Sequence, residues 1–314
     1  MRRNQFSAAV ISLVVSLAAL VACGARAQET PRAYAARIRA ELSAGQIGRA
    51  LESAHAAVEA YPTSALFEEL YGVALFKRRM NAEARTAFRR AIRLDPSVPQ
   101  NYLDLALVHL SENDNARAAA NLEKYLRFDP RNAEVRLLLG RTEHNMNETL
   151  PAIAEFKRVI ALAPEMPQAH YDLGFAYQSE GDLRAALEEF QKEIACNPGF
   201  YSAYWRAGKI EREQGDLAKA ATLLEEADRI NPAGFEGHYE LGRVLLAERK
   251  PELAVAELKR AADLRPGDVE AHYGLARAYA ELGRHSDEQR ELAIVARLHQ
   301  IEARHESGIA GQQP

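Results

Sequence analysis

The chain has 314 residues, a formal net charge of -4 and a pI near 6.2. This balance argues against a dedicated nucleic-acid-binding protein, which usually carries a basic excess. The only two cysteines, Cys23 and Cys196, exclude a disulfide-rich scaffold and a cysteine-rich zinc module. Aromatic residues make up only 7% of the chain, and the abundance of Ala, Leu, Glu and Arg favours helices over sheets.

The first 27 residues have the composition of an export signal. Arg2 and Arg3 precede an uncharged stretch whose apolar centre, residues 8–22, is too short and too rich in Ala and Ser for a permanent membrane span. Two alternative processing sites follow. Residues 20–23 (LVAC) resemble the box in which bacterial lipoproteins are acylated on Cys, here Cys23, and residues 25–27 form an A-x-A site for ordinary signal peptidase. We therefore expect an exported, periplasmic protein, anchored to the outer membrane if Cys23 carries lipid.

The processing of the signal segment determines whether Cys196 has a disulfide partner in the mature chain. If Cys23 is removed or acylated, the mature chain offers Cys196 no disulfide partner. We predict that Cys196 is a small packing residue.

A period of 34 residues organises the rest of the chain. Pro recurs at this spacing, and small residues recur in the same register at two other places of the period. The three series are Pro62, Pro96, Pro130, Pro164, Pro198, Pro232 and Pro266; Ala50, Ala84, Ala118, Ala152, Ala186, Ala220 and Ala254; and Gly72, Ala106, Gly140, Gly174, Gly208, Gly242 and Ala276. They predict eight repeats that start at residues 31, 65, 99, 133, 167, 201, 235 and 269 and cover residues 31–302. Residues 303–314 are expected to be the end of the last helix and a disordered tail.

Each repeat has the pattern of two helices joined by a turn. In the fifth repeat, apolar and small residues spaced three and four apart define the first helix, and Ala186 and Phe190 mark the second, which Pro198 ends. Gly174 stands at place 8, counted from the start of the repeat. A helical Gly costs about 1 kcal/mol relative to Ala. We therefore expect that the Gly allows the two helices to approach closely, which offsets this cost, and that the Ala at place 20 faces the Gly.

This pattern resembles the tetratricopeptide repeat (TPR) family over essentially the whole mature chain. The resemblance is carried by segments such as residues 169–177 (AHYDLGFAY), followed by Ala186, Phe190 and Pro198. It implies an all-α fold, a right-handed superhelical solenoid of about eight helix-turn-helix repeats. The terminal repeats depart from the pattern. The first has Ile38 at place 8, and the last lacks the Ala and the Pro, so we expect its second helix to run on towards Glu306 as a cap.

In the TPR family, the first helices line a concave groove that binds peptides, and places 2, 5, 9, 12 and 13 usually face it. In repeats two and three these places form an apolar wall that includes Phe76, Leu103 and Leu107. In repeats five to eight, place 5 holds Tyr171, Trp205, Tyr239 and Tyr273, and place 9 holds Phe175, Lys209, Arg243 and Arg277. An aromatic ring with a cation one turn away suits an acidic or aromatic peptide. The alternative is that the rings pack between repeats and the cations lie on a solvated rim.

Three histidines, His170, His238 and His272, share place 4. One metal ion would not reach all three, because stacked helices are roughly 8–10 Å apart and zinc ligands lie ~2 Å from the metal. We expect core-edge residues at these places, with no metal and no cofactor.

The sequence therefore predicts a non-enzymatic protein-protein interaction scaffold of the bacterial cell envelope. Its partner would be a protein or peptide, with no nucleic acid and with membrane contact only through an N-terminal lipid. The alternative is an accessory or substrate-delivery subunit of an envelope enzyme, such as a glycosyltransferase or a peptidoglycan enzyme.

Overall fold

The computed structural model describes the backbone of residues 30–310 and the side chains up to Arg304. Over these residues the chain is all α-helical and contains sixteen helices and no strand. The expected export segment with Cys23, and the last residues of the expected tail, lie outside the described part. Among residues 30–310, no helix combines the length and the apolar character that a membrane span requires.

The chain divides into two compact units, residues 1–129 and 130–314. The helices of the N-terminal unit are α1 (Pro31–Ser43), α2 (Ile47–Ala60), α3 (Ala65–Lys77), α4 (Asn81–Leu94), α5 (Pro99–Ser111) and α6 (Asn115–Phe128). Those of the C-terminal unit are α7 (Ala133–Asn145), α8 (Thr149–Leu162), α9 (Ala169–Ser179), α10 (Leu183–Cys196), α11 (Tyr201–Gln214), α12 (Leu217–Ile230), α13 (Phe235–Ala247), α14 (Pro251–Leu264), α15 (Val269–Glu281) and α16 (His285–Ala310). Odd-numbered helices are the first helices of their repeats and even-numbered helices are the second.

The turn inside each repeat depends on one left-handed residue at place 15. These residues have φ between 58° and 86° and are Gly45, Arg79, Asn113, Asn147, Gly181, Gly215, Arg249 and Gly283. Gly and Asn, which tolerate this conformation best, hold six of the eight places. An Asp often follows and caps the second helix, as when Asp182 accepts a hydrogen bond from the Ala185 backbone N–H at 3.0 Å. The Pro after each of the first seven repeats' second helices then ends that helix, because the residue before Pro avoids helical geometry.

The small residue at place 8 makes room for a large side chain at place 24 of the same repeat. A Cβ added at Gly174 would lie 2.9 Å from the Phe190 ring, and one at Gly208 would lie 2.7 Å from Leu224. Gly72, Gly140 and Gly242 face Phe88, Phe156 and Leu258 in the same way. The expected facing residue at place 20 is present only through its backbone, since the nearest such atom to Gly174 is the carbonyl oxygen of Ala186. The Gly therefore accommodates a ring or a Leu rather than an Ala.

In the first repeat, the large and the small residue of this contact exchange places. Ile38 occupies place 8 and Ala54 occupies place 24, and both side chains are fully buried in one cluster. The departure that the sequence pattern marks at Ile38 is therefore a reversal of the same contact, with the large residue on the first helix.

Two details differ from the sequence expectations, and a third distinguishes the fifth repeat from the others. Helix α16 continues to Ala310, beyond the expected end near Glu306. Cys196 is exposed at the end of α10 and is not a packing residue. Helix α9 begins at Ala169, after a left-handed Gln168, and the buried Glu193 carboxylate accepts hydrogen bonds from the backbone N–H groups of Gln168 and Tyr171.

Asp104 is a half-buried carboxylate on α5. Burial raises its pKa to about 6, although the Gln100 side-chain amide donates a hydrogen bond to it at 2.8 Å. Burial also raises the pKa of Glu69 of α3, and the nearby Asp104 charge raises it further.

We expect Gly174→Leu to lower the free energy of unfolding by about 2 kcal/mol or more, because overpacking forces the α9 backbone away from Phe190. Gln191→Leu, at an exposed position of α10 next to Phe190, is the matched control and is expected to change stability little. Urea unfolding followed by circular dichroism measures both variants. Equal unfolding midpoints for the two variants would contradict the assigned contact.

We expect Asp104→Asn to stabilise the protein at pH 7.5 by about 1–3 kcal/mol. The folded-state pKa is raised, so the ionised carboxylate destabilises the fold in full above pH 6, and this penalty disappears as the pH falls below 3.8. The variant and the natural chain should therefore converge between pH 6 and pH 4. Thermal unfolding at pH 7.5, 5 and 4 tests this, with exposed Glu123→Gln as the control; a pH-independent difference would show that the carboxylate charge is not responsible.

Candidate functional site

Polar side chains connect neighbouring first helices in the C-terminal unit, and place 6 supplies one partner of each contact. Asp172 Oδ2 lies 2.6 Å from Arg141 Nε, and Glu240 Oε2 lies 2.9 Å from Arg212 Nε. At the same place in α11, Arg206 Nε donates to the Tyr171 hydroxyl oxygen at 3.0 Å. These contacts set the relative positions of α7, α9, α11 and α13.

Arg206 is the centre of an aromatic cluster. Its guanidinium carbon lies 4.4 Å from the Phe175 ring centre, 4.5 Å from Trp205 and 5.7 Å from Tyr171. Tyr171 and Phe175 are parallel, with ring centres 6.4 Å apart. The cation over these rings is therefore Arg206 at place 6, whereas the sequence pattern singled out Lys209, which is half-buried on the same helix.

The same two rings line a small cavity of about 250 Å³ between α7, α8 and α9. Arg141, His144 and Asp172 contribute its polar lining. Burial raises the pKa of Asp172 to about 6, and Arg141 opposes that shift. Tyr171 and Phe175 thus pack between repeats, as the alternative reading expected, and also face an open space.

A larger pocket of about 570 Å³, which we call the first-helix pocket, lies farther along the C-terminal unit. It contains four of the predicted groove residues: Tyr239, Arg243, Tyr273 and Arg277. The remaining lining residues are Arg212, Leu217, Leu246, Ala247, Val269, Glu270, Gly274, Val295 and His299. The pocket is therefore built on α11, α13 and α15, with contributions from α12 and α16.

Each arginine of the first-helix pocket lies close to at least one carboxylate: Arg277 to Glu281, and Arg212 to Glu213 at 3.4 Å as well as to Glu240. Arg212 and Arg243 share the buried Glu240, with Arg243 Nη1 3.3 Å from Oε1 of that carboxylate. The Arg243 guanidinium carbon also lies 5.4 Å from the centre of the Tyr239 ring. Burial raises the pKa of Tyr239, so its hydroxyl keeps its proton and remains a hydrogen-bond donor.

Tyr273 and Arg277 form the exposed rim of the first-helix pocket. Tyr273 is 60% exposed, and the Arg277 side chain is also 60% exposed although its Nε lies 3.4 Å from Glu281. The exposed Tyr273 ring and the exposed Arg277 guanidinium lie one turn apart, so both can contact a bound molecule.

Some pocket residues were missed in the sequence analysis. Arg212 stands at place 12, which belongs to the groove places, so its signal was present. Val295 and His299 had no such signal, because they come from the second helix of the last repeat.

The predicted apolar wall lies in the N-terminal unit. Phe76, Leu103 and Leu107 are all half-buried. Phe76 packs against the core formed by Leu75, Phe88 and their neighbours. These side chains expose part of an apolar surface on α3 and α5.

Each histidine at place 4 contacts a glutamate at place 23 of its own repeat. The Nδ1 to Oε2 distances are 2.6 Å for His170 and Glu189, 2.7 Å for His238 and Glu257, and 2.6 Å for His272 and Glu291. These pairs join the first and second helices of their repeats.

Comparisons with known proteins agree with this architecture. No curated protein matches the chain. Among solved structures, the chain is similar to MamA, with 26% identity, a TM-score of 0.50 and coverage of 51% of this chain and 94% of MamA. PilF of Pseudomonas aeruginosa shares 19% identity with a TM-score of 0.56, covering 65% of this chain and 93% of PilF. YrrB, a TPR protein with an unusual peptide-binding site, shares 22% identity with a TM-score of 0.51, covering 60% of this chain and 96% of YrrB. At these identities, PilF and YrrB share the fold alone.

The tetratricopeptide repeat family model matches residues 35–99, 103–167, 147–199, 171–235 and 239–293, which together span most of the chain. The eight helix pairs, the left-handed residue at place 15 and the repeated contact between places 8 and 24 follow the same register. The chain therefore belongs to the tetratricopeptide repeat family, whose fold supports protein-protein interaction.

Proposed function

We propose that this protein is a non-enzymatic scaffold that binds an extended segment of a partner protein at the first-helix pocket. The observation that carries this proposal is the pocket of about 570 Å³, which joins exposed Tyr273 and Arg277 to half-buried Tyr239 and Arg243. Tyr and Arg are among the residue types that most often dominate binding energy. The solved TPR structure of YrrB, described as having an unusual peptide-binding site, adds support from a protein of the same fold.

The lining of the pocket determines the chemistry of the proposed segment. Leu246, Val269 and Val295 provide an apolar floor for an aromatic or aliphatic side chain. Arg243 shares Glu240 with Arg212 and contacts it through Nη1 at 3.3 Å, so the other N–H groups of this 39% exposed side chain can bind an acidic group of the partner. An extended segment with an acidic residue beside an aromatic one fits both features.

We also propose that the protein is exported and attached to the outer membrane. The apolar segment at residues 8–22, followed by LVAC at residues 20–23, supports export and attachment to the outer membrane through lipid on Cys23. A scaffold attached by a short N-terminal stretch would present its repeats to partners in the periplasm.

We expect Tyr273→Ala and the double variant Arg243→Ala, Arg277→Ala each to weaken partner binding by about 2 kcal/mol or more, roughly thirtyfold in affinity. The partner is to be identified by pull-down from detergent-solubilised envelopes and titrated by calorimetry. The effect of the arginine pair should shrink at high salt, because salt screens exposed charges.

Arg184→Ala is the control for these variants, because the Arg184 side chain is 91% exposed and lies on a second helix. Circular dichroism verifies that each variant is folded. If folded pocket variants bind as tightly as the natural chain, and Leu103→Ala or Leu107→Ala weakens binding instead, the site is the apolar wall of the N-terminal unit. A partner that is an envelope enzyme, with activity that depends on this protein, would favour the role of accessory subunit.

We expect mass spectrometry of the mature protein from its native host to find an N-terminal Cys23 with attached acyl chains. An unmodified N-terminus at Gln28 would contradict lipid attachment and indicate a periplasmic protein without an anchor. A Cys23→Ala variant, which leaves the A-x-A site intact, distinguishes the two processing routes by whether the protein still fractionates with membranes.

A further inference from the structure

In the C-terminal unit, the side chain at place 4 makes the same pair of polar contacts in more than one repeat. Its side chain lies within hydrogen-bond distance of the place-23 glutamate and of the carbonyl oxygen of the Pro six residues earlier. Arg136 does so with Glu155 and with the Pro130 oxygen, to which its Nε donates at 2.9 Å. His272 does so with Glu291 at 2.6 Å and the Pro266 oxygen at 3.2 Å. In these repeats one place-4 side chain faces one carboxylate.

The junction between repeats six and seven adds a second carboxylate. His238 Nδ1 lies 2.7 Å from Glu257 Oε2 and 3.0 Å from Asp228 Oδ2. Asp228 stands at place 28 of the repeat that precedes His238. In the repeats that precede His170 and His272, place 28 holds the apolar residues Ile160 and Ala262. The extra acid is therefore a departure from the repeat.

A second departure makes room for that acid. Gly237 stands at place 3, and no other repeat has Gly there. A Cβ added at Gly237 would overlap Asp228 Oδ1. At the matched junction with His272, place 3 is Ala271, and place 28 carries no carboxylate. Asp228 and Gly237 thus form a pair of coupled changes that bring a carboxylate to this one histidine.

The hydrogen bonds around Asp228, His238 and Glu257 do not provide a donor for each carboxylate. Both carboxylate oxygens of Asp228 are buried and lack a hydrogen-bond donor, since the 3.0 Å approach to His238 Nδ1 does not have hydrogen-bond geometry. A single proton on Nδ1 serves Glu257 and leaves the second carboxylate without a partner. The other charges near Asp228 are Arg260 and Glu225, which act on it in opposite directions.

We propose that Asp228, His238 and Glu257 form a binding site for a divalent transition-metal ion, with Zn²⁺ as the preferred ion. Their ligand atoms all lie within 4.8 Å of one another. One imidazole nitrogen with carboxylate oxygens is a ligand set that suits Zn²⁺, and a divalent ion balances the two carboxylate charges. This goes beyond the proposed peptide-binding function and departs from the sequence expectation of no metal ligand.

The surroundings of His238 meet the further requirements of a metal site. Its Nε2 lies 3.0 Å from the Pro232 carbonyl oxygen, so a proton on Nε2 is donated to that oxygen when the ion displaces the proton from Nδ1. Ligands about 2.1 Å from an ion are about 3.0–3.4 Å apart in octahedral or tetrahedral geometry, so the distances of 2.7 and 3.0 Å from His238 Nδ1 to the two carboxylates need to lengthen only slightly. His238 is buried, but the Glu257 side chain is 24% exposed, which provides an entry path and a position for water.

The position of the site determines what a bound ion does. Asp228, His238 and Glu257 belong to α12, α13 and α14, so one ion links three helices across a repeat junction. His238 directly precedes Tyr239 of the first-helix pocket. The ion is therefore a structural ion that fixes the helix carrying Tyr239 and Arg243.

The test is to strip the purified protein, without a His tag, with a chelator and titrate it with Zn²⁺ by calorimetry, while thermal unfolding is followed in parallel. We expect one Zn²⁺ per chain, a higher Tm with Zn²⁺, and no comparable effect of Mg²⁺, which prefers all-oxygen sites. Asp228→Asn should abolish both effects. Glu291→Gln, at the matched His272 pair without a second carboxylate, should retain them.

Gly237→Ala tests the site without removing a ligand, because it recreates the place-3 residue of the neighbouring junction. We expect it to weaken Zn²⁺ binding by about 10–100-fold, the range for residues that position a metal ligand. Circular dichroism verifies folding of every variant. Absence of Zn²⁺ binding to the natural chain, or binding of equal strength in Asp228→Asn, would overturn the proposal and indicate that Asp228 is held by a proton instead.

Discussion

The fold depends on one contact between the two helices of a repeat, in which a large side chain packs against a residue with little or no side chain. The large residue is at place 24 and the small one at place 8, except in the first repeat, where they are exchanged. Without a Cβ at places such as Gly174 and Gly208, the ring of Phe190 or the branched end of Leu224 reaches the backbone of the first helix. The two helices of a repeat then bury their apolar faces against each other. Because this contact recurs every 34 residues, it fixes the helix spacing within each unit, and the rest of the structure follows from that spacing.

A constant spacing gives a constant register on the first helices. Successive first helices therefore meet in the same way each time, and the place-6 residues Asp172, Arg206 and Glu240 each contact a side chain of the preceding first helix. The repeat itself therefore provides the framework, and chemistry enters where single repeats depart from it. Glu240, which contacts both Arg212 and Arg243, and Asp228 beside Gly237 are departures of this kind.

The helices, their turns and the family were predictable from the sequence, because the pattern of Pro, Ala and Gly repeats without a gap. Place 5 and place 9 in repeats seven and eight led to four residues of the first-helix pocket for the same reason. What the sequence did not reveal depends on contacts between repeats. Arg206 stands at a place that the pattern does not assign to the groove, yet it contacts Trp205 of its own repeat and Tyr171 of the preceding repeat. The contribution of α16 to the pocket follows from the packing of the last helix, which has no repeating signal of its own.

We propose that partners bind on the first helices of the C-terminal unit. Amide hydrogen exchange, measured with and without the partner recovered by pull-down, locates the bound surface, because exchange reports local protection along the backbone. We expect slower exchange in α11, α13 and α15 when the partner is bound, with little change in α10, α12 and α14. Protection confined to the second helices, or to helices of the N-terminal unit, would contradict it.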